Sequence, residues 1–219
     1  MNYDLVIFDC DGVLVDSERI TSRVFCEMLA ELGLELTQEE MFQRFVGQAM
    51  DRCLVIIEDA LGRPAPDNFV PDLRARAAQA LFEQVEPVPG VVDVLDRLPV
   101  PACVASAGER MKMQLTLGKT GLWSRFEGRI FSVEDVEHSK PAPDVYLLAA
   151  SSQGVAPARC AVIEDSAAGV TAGVAAGMTV FAYTADVPAD RLQAAGAHYL
   201  FDDMAELPAL LGLPALATA

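Results

Sequence analysis

The residues that could do chemistry fall into four small groups, three of them directly after a short apolar run. Leu5-Val6-Ile7-Phe8 leads into Asp9-Cys10-Asp11-Gly12, and Ala102-Cys103-Val104-Ala105 into Ser106-Ala107-Gly108. Ala161-Val162-Ile163 leads into Glu164-Asp165-Ser166, and Lys140 stands in Ser139-Lys140-Pro141-Ala142-Pro143-Asp144. Each has an ordinary explanation on its own: acids ending a strand, a turn serine, a surface lysine, a helix N-cap. Together they supply two carboxylate pairs, a hydroxyl followed by flexible backbone, and a cation. The carboxylates of Asp9 and Asp165, with the backbone carbonyl of Asp11, are hard oxygen donors. They suit an octahedral Mg²⁺ that keeps some waters and takes a phosphate oxygen. Lys140 and the N–H groups after Ser106 would help neutralise charge on a transferring phosphoryl group. A carboxylate beside such a cation could form an aspartyl phosphate. The second aspartate, offset from the metal, could protonate the leaving oxygen and later activate water.

Such a set works only if one scaffold gathers it. Continuous apolar runs without alternation predict strands buried on both faces, as in a parallel sheet. Strands are expected at residues 5–8, 102–105, 130–131, 161–163, 179–182 and 198–201, with helices between them over about 91–98, 109–119, 144–153 and from Ser166. Alternation of this kind predicts a doubly wound, Rossmann-like α/β core, whose strand ends share one edge. Between Asp16 and Glu86 the pattern is helical throughout. Helices are expected from Ser17 to Gly33, after the Thr37/Glu40 capping-box signature, over Met50–Leu61 and over about 69–85. Pro87-Val88-Pro89-Gly90 closes the block. The domains predicted are a core of residues 1–15 and 88–219 and an all-helical cap of residues 16–87, inserted where it could act as a lid. Gly169, Gly173 and Gly177, spaced by four, are expected to pack one helix closely on the sheet.

Composition excludes several classes. At 219 residues with 52% hydrophobic side chains, the chain can bury a substantial core. A net charge of −16 argues against nucleic acid and anionic lipid as partners, and requires a local cation for any anionic substrate. No G-x-x-x-x-G-K-[ST] or G-x-G-x-x-G is present, which removes the P-loop and dinucleotide readings. The five cysteines are scattered, with no C-x-x-C pair, as expected in a reducing compartment. No leader and no membrane-spanning run is read, so a cytoplasmic protein is expected; the sequence leaves the oligomeric state open, with a monomer favoured. His138 and His198 are read as structural or surface residues.

The four groups, in this order, resemble the motifs of the haloacid dehalogenase superfamily, and the resemblance covers essentially the whole chain, helical cap included. It implies Asp9 as nucleophile, Asp11 as general acid/base, and Ser106, Ala107 and Lys140 as phosphate-binding positions. It implies Mg²⁺ held by Asp9, Asp11 and Asp165, with Glu164 a ligand or a neighbour of one. Asp16-Ser17-Glu18, the segment Glu39–Phe45 and Lys112-Met113-Gln114 are similar to the β-phosphoglucomutase and sugar-phosphate phosphatase branch, nearest to its 6-phosphogluconate phosphatases. In the cap, Gly47 and Gln48 fall at substrate-binding positions. Mutases of the branch carry a cap histidine and a cap arginine where this chain has Thr21 and Gln48-Ala49-Met50. The resemblance therefore implies a phosphatase acting on a small sugar or sugar-acid phosphate, with a phosphosugar mutase as the alternative. A receiver-like binding domain would share the acids and the lysine but not the large helical insertion.

Overall fold

The computed structural model describes residues 2–45, 48 and 50–214. Its strands are β1 (Leu5–Phe8), β2 (Ala102–Ala105), β3 (Ile130–Phe131), β4 (Cys160–Glu164), β5 (Thr179–Tyr183) and β6 (Tyr199–Phe201). In chain order the helices are α1 (Glu18–Glu31), α2 (Gln38–Phe45), α3 (Met50–Leu61), α4 (Phe69–Gln84) and α5 (Val91–Arg97). They continue with α6 (Arg110–Lys119), α7 (Asp144–Ser152), α8 (Ala167–Ala175), α9 (Ala189–Ala194) and α10 (Leu207–Leu210). The chain divides into two compact units, one formed by the residues up to Asp16 with those from Glu86 on, the other by Ser17–Val85.

The first unit is a parallel sheet of order β3-β2-β1-β4-β5-β6. Strand β1 lies between β2 and β4, with Ile7 opposite Cys103 on one side and Val162 on the other. The chain winds outward from β1 in both directions, and this switch point is where such sheets open a crevice at their carboxyl ends. All four residues of β1 are fully buried. Leu5 and Ile7 share a core with Tyr146, Ala149, Val170 and Leu192 from α7, α8 and α9. Val6 and Phe8 alternate to the opposite face and are equally covered. Each such side chain contributes about 1.5–3 kcal/mol. The strand that carries the acids is therefore among the most firmly held in the molecule.

The chain leaves and re-enters this unit through two paired segments. Asp16 N–H donates to the Glu86 carbonyl at 3.0 Å, and Val88 N–H to the Leu14 carbonyl at 3.0 Å. In the helical unit α1 packs along α4, and Phe25, Met28, Leu29, Ile57, Phe69 and Leu73 are buried together. The ring of Phe25 meets Phe45 edge-on at 5.2 Å. The capping box is present at the head of α2. Glu40 Oε2 accepts from Thr37 N–H at 2.9 Å, and Thr37 Oγ1 accepts from Glu40 N–H at 3.2 Å.

The glycine stripe is used differently from the even spacing expected. A Cβ on Gly169 would collide with the Glu164 carboxylate, and one on Gly173 would lie 2.7 Å from Val180 Cγ2. Gly177 meets nothing within 4 Å and has φ +74, because it follows the end of α8 and turns the chain toward β5. Helices α9 and α10 are too short to leave a periodic signature and were not expected. His138 Nδ1 lies 3.1 Å from Asp144 Oδ2, and His198 Nδ1 accepts from Val180 N–H at 3.1 Å. The five cysteines are unpaired, and no helix among the described residues is long and apolar enough to cross a membrane.

Candidate active site

Three strand ends and one loop meet at the carboxyl edge of the sheet. Asp9 follows β1, and its N–H donates to the Ile163 carbonyl at 2.9 Å, continuing the β1–β4 ladder one residue past the strand. Ser106 follows β2 and is tied by its N–H to the Phe131 carbonyl at 3.0 Å. Glu164 ends β4, and Lys140 arrives from the loop between β3 and α7. The peptide between Lys140 and Pro141 is cis.

Lys140 joins the groups. Its Nζ donates to Asp9 Oδ1 at 2.6 Å, to Glu164 Oε1 at 2.7 Å and to the Ala105 carbonyl at 3.0 Å. An ammonium has three donors, so all three are placed. The side chain is 3% exposed, and Nζ stands 4.6 Å from the ring centroid of Tyr146, a buried cation–π contact. Burial alone would lower the Lys140 pKa, but the two carboxylates hold it well above the ordinary value. Burial pushes the Asp9 carboxyl up to about 7, opposed by the charge of Lys140 and reinforced by Glu164 and Asp11. Glu164 goes the other way. Burial would raise it, but Lys140 and its hydrogen bonds keep it below the usual range.

Glu164 accepts from five donors. Lys140 Nζ and Tyr146 Oη (2.8 Å) reach Oε1; Asp165 N–H, Ser166 N–H and Ser166 Oγ reach Oε2 at 3.0, 2.9 and 3.0 Å. Both oxygens are thus engaged within the protein. Ser166 in turn caps α8 by accepting from Gly169 N–H at 3.0 Å. Substituting Gly169 by Ala drives a methyl into this carboxylate. The expected result is a loss of about 1–3 kcal/mol by overpacking, read by denaturant melts.

Asp11 and Asp165 lie beside two glycines. Gly12 has φ +75, and a Cβ there would overlap Asp165 Oδ2, so glycine both permits the turn after Asp11 and lets Asp165 lean on the backbone. A Cβ on Gly108 would lie 3.3 Å from both Asp11 Oδ2 and Ser106 Oγ, so these two oxygens face the same small space. Ser106 Oγ accepts from Gly108 N–H at 3.0 Å. Asp11 Oδ1 is 2.9 Å from Lys112 Nζ in the first turn of α6.

The donor set fits a hard divalent cation. Asp9, Asp11 and Asp165 offer carboxylate oxygens, the hard donors that such an ion takes. Among the described residues no three His, Cys, Asp or Glu side chains make a cation cage by themselves. The two carboxylates of Asp9 and Asp165 would need the Asp11 carbonyl, water and a substrate oxygen to complete a shell, as Mg²⁺ sites commonly do.

Of the residues expected from the sequence, Asp9, Lys140 and Glu164 are in direct contact, and Asp11 and Ser106 share the space at Gly108. Ala107 is exposed next to Ser106. Gly47 lies outside the described residues. Gln48 belongs to the helical unit, where its N–H donates to the Phe45 carbonyl at 3.1 Å. Two residues escaped notice as parts of the site. Lys112 is a helix-head lysine six residues past Ser106. Tyr146 is a hydroxylated aromatic inside the apolar run Val145–Ala150, and a buried phenol of that kind requires a polar partner.

The family is also plain from likeness. The sequence model described as haloacid dehalogenase-like hydrolase matches residues 6–183, and the chain belongs to this family. It is 35% identical over 184 residues to the 6-phosphogluconate phosphatase of Escherichia coli, covering 84% of this chain and 83% of that one. A haloacid dehalogenase-like protein of unknown function from Agrobacterium tumefaciens superposes with a TM-score of 0.90 at 36% identity, covering 96% and 98% of the two chains. A family hydrolase from Deinococcus radiodurans, crystallised with bound phosphate and sodium, gives 0.85 at 35% identity, with 96% of each chain covered.

Proposed function

We propose that this phosphatase hydrolyses a small sugar or sugar-acid phosphate, 6-phosphogluconate first among them, through a phospho-Asp9 intermediate. The observation that carries the reading is the buried bridge from Lys140 to Asp9 and Glu164. It fixes Oδ1 of Asp9 and would leave the other oxygen to attack. The oxygen of Asp9 attacks phosphorus, the bond to the leaving oxygen breaks, and Asp11 gives that oxygen a proton. Asp11 then takes a proton from the water that attacks phospho-Asp9, releasing inorganic phosphate and regenerating the Asp9 carboxylate and the protonated Asp11. Ser106 and the Ala107 N–H would hold the phosphoryl oxygens, with Lys140 supplying positive charge from below. Mg²⁺ held by Asp9, Asp165 and the Asp11 carbonyl would offset the charge of the phosphoryl group against that of the attacking carboxylate.

The likeness to 6-phosphogluconate phosphatase supports the substrate class, and the position of the helical unit in the chain, leaving directly after the acid pair, supports a cap that selects the leaving group. The five unpaired cysteines accord with a reducing, cytoplasmic setting. Phosphate release across a panel of sugar phosphates, with Mg²⁺ and with chelator, tests the proposal. Turnover of 6-phosphogluconate lost on chelation is the expected result. Conversion of β-glucose 1-phosphate into glucose 6-phosphate with negligible phosphate release would sink it in favour of the mutase.

The elevated Asp9 pKa makes metal binding pH-dependent. Below about pH 7 the metal-free carboxyl holds a proton that the cation must displace. For the metal-free chain the linkage has one sign. A folded-state pKa raised from 3.8 to about 7 means stability present at acid pH and lost as pH rises through 7. Added Mg²⁺ should therefore raise Tm more at pH 8 than at pH 5.5, with affinity falling up to about tenfold per unit of pH below 7. Calorimetry at the two pH values checks it, and equal shifts would refute it.

A further inference from the structure

The salt bridge between Lys112 and Asp11 has no part in the chemistry described so far, and its geometry gives it one. We propose that Lys112 is a positioning residue that aims Asp11 at the leaving-group oxygen, an inference that rests on the role of Asp11 given above. The two oxygens of Asp11 have different surroundings. Oδ1 is 2.9 Å from Lys112 Nζ, while Oδ2 faces the backbone of Gly108 next to Ser106 Oγ. Ser106 Oγ is itself oriented by Gly108 N–H, so Oδ2 points into the space where phosphoryl oxygens would be held. An ammonium on Oδ1 favours the orientation in which Oδ2 faces the ester.

The base of Lys112 is well anchored. Met113 and Leu117 of α6 are fully buried, and Arg110 at the head of the helix donates to the Ile130 carbonyl at 3.2 Å and pairs with Asp135. The Lys112 side chain is 32% exposed and that of Asp11 15%. The pair is partly buried, so melting temperatures are measured beside the kinetics.

A general acid matters when the leaving group is a poor one. An alkoxide from a sugar phosphate must be protonated as it departs, whereas p-nitrophenolate leaves without help. The value of kcat/KM reports the steps up to departure of the leaving group, so the ratio of kcat/KM for a sugar phosphate to that for p-nitrophenyl phosphate isolates the acid. The experiment compares wild type, Lys112→Met and Lys112→Arg on both esters, the sugar phosphate being the fastest of 6-phosphogluconate, fructose 1-phosphate and glucose 6-phosphate. In Lys112→Met the ratio should fall about 10–100-fold, part of the ~10²–10⁴ that a positioned acid supplies. Lys112→Arg should restore most of it, with a cooperative melt showing that each variant is folded. An equal loss on both esters, or no loss, overturns the positioning role while leaving the phosphatase reading intact. A wild type inactive on every ester overturns that reading and this inference with it.

Discussion

Asp9→Asn is expected to lower kcat/KM on every phosphate ester by at least ~10⁴-fold, the order of loss when the nucleophile of a concerted set is removed. The substitution is isosteric. The amide oxygen can still accept from Lys140, which sits 2.6 Å from Oδ1 in the native protein, and the backbone N–H to Ile163 is untouched. Folding should therefore survive, as a retained circular dichroism spectrum and cooperative melt would establish. What is lost is the anionic oxygen that forms the bond to phosphorus. Acid quench of the wild type with a ³²P-labelled ester should trap a labelled protein, and the Asn variant should trap none. A variant that still turns over at more than a hundredth of the native rate would remove Asp9 from the nucleophile's role.

Lys140→Met should damage both stability and activity. The methionine matches the length of the side chain but brings no charge into a pocket where Asp9 and Glu164 are both buried. Removing one partner from a buried ion pair leaves an uncompensated charge and costs about 3–5 kcal/mol. For a chain of 219 residues this corresponds to a Tm lower by roughly 10 °C. Glu164 should then bind a proton at higher pH than in the native protein, so part of the lost stability should return on acidification. Activity should fall with it, because the same ammonium orients Asp9. Lys140→Arg should not rescue, since a planar fork cannot reproduce three donors directed at Asp9, Glu164 and the Ala105 carbonyl. Unchanged thermal stability in Lys140→Met would contradict the buried bridge itself.

Much of this was legible before any coordinates. The runs 5–8, 102–105 and 161–163 read as strands because burial on both faces forces continuous apolar sequence. The Thr37/Glu40 box was readable because its partners are three residues apart, and Asp9, Ser106, Lys140 and Glu164-Asp165 were readable because strand ends share one edge in a parallel sheet. Local spacing placed Gly177 wrongly on the packed face, where it instead turns the chain after α8, and said nothing of α9 and α10.

By itself, then, the sequence determined the α/β class, the helical insertion and the residues gathered at the sheet edge, since periodicity and chain order are one-dimensional properties. Only the tertiary structure decided how the charges are shared. Lys140 and Glu164 are 24 residues apart, Lys140 and Asp9 131. Which carboxylate receives the ammonium, which is saturated by backbone N–H groups, and which lysine reaches Asp11 follow from distances of a few ångströms between distant segments. Those distances turn a list of acids and lysines into one connected charge network centred on Lys140.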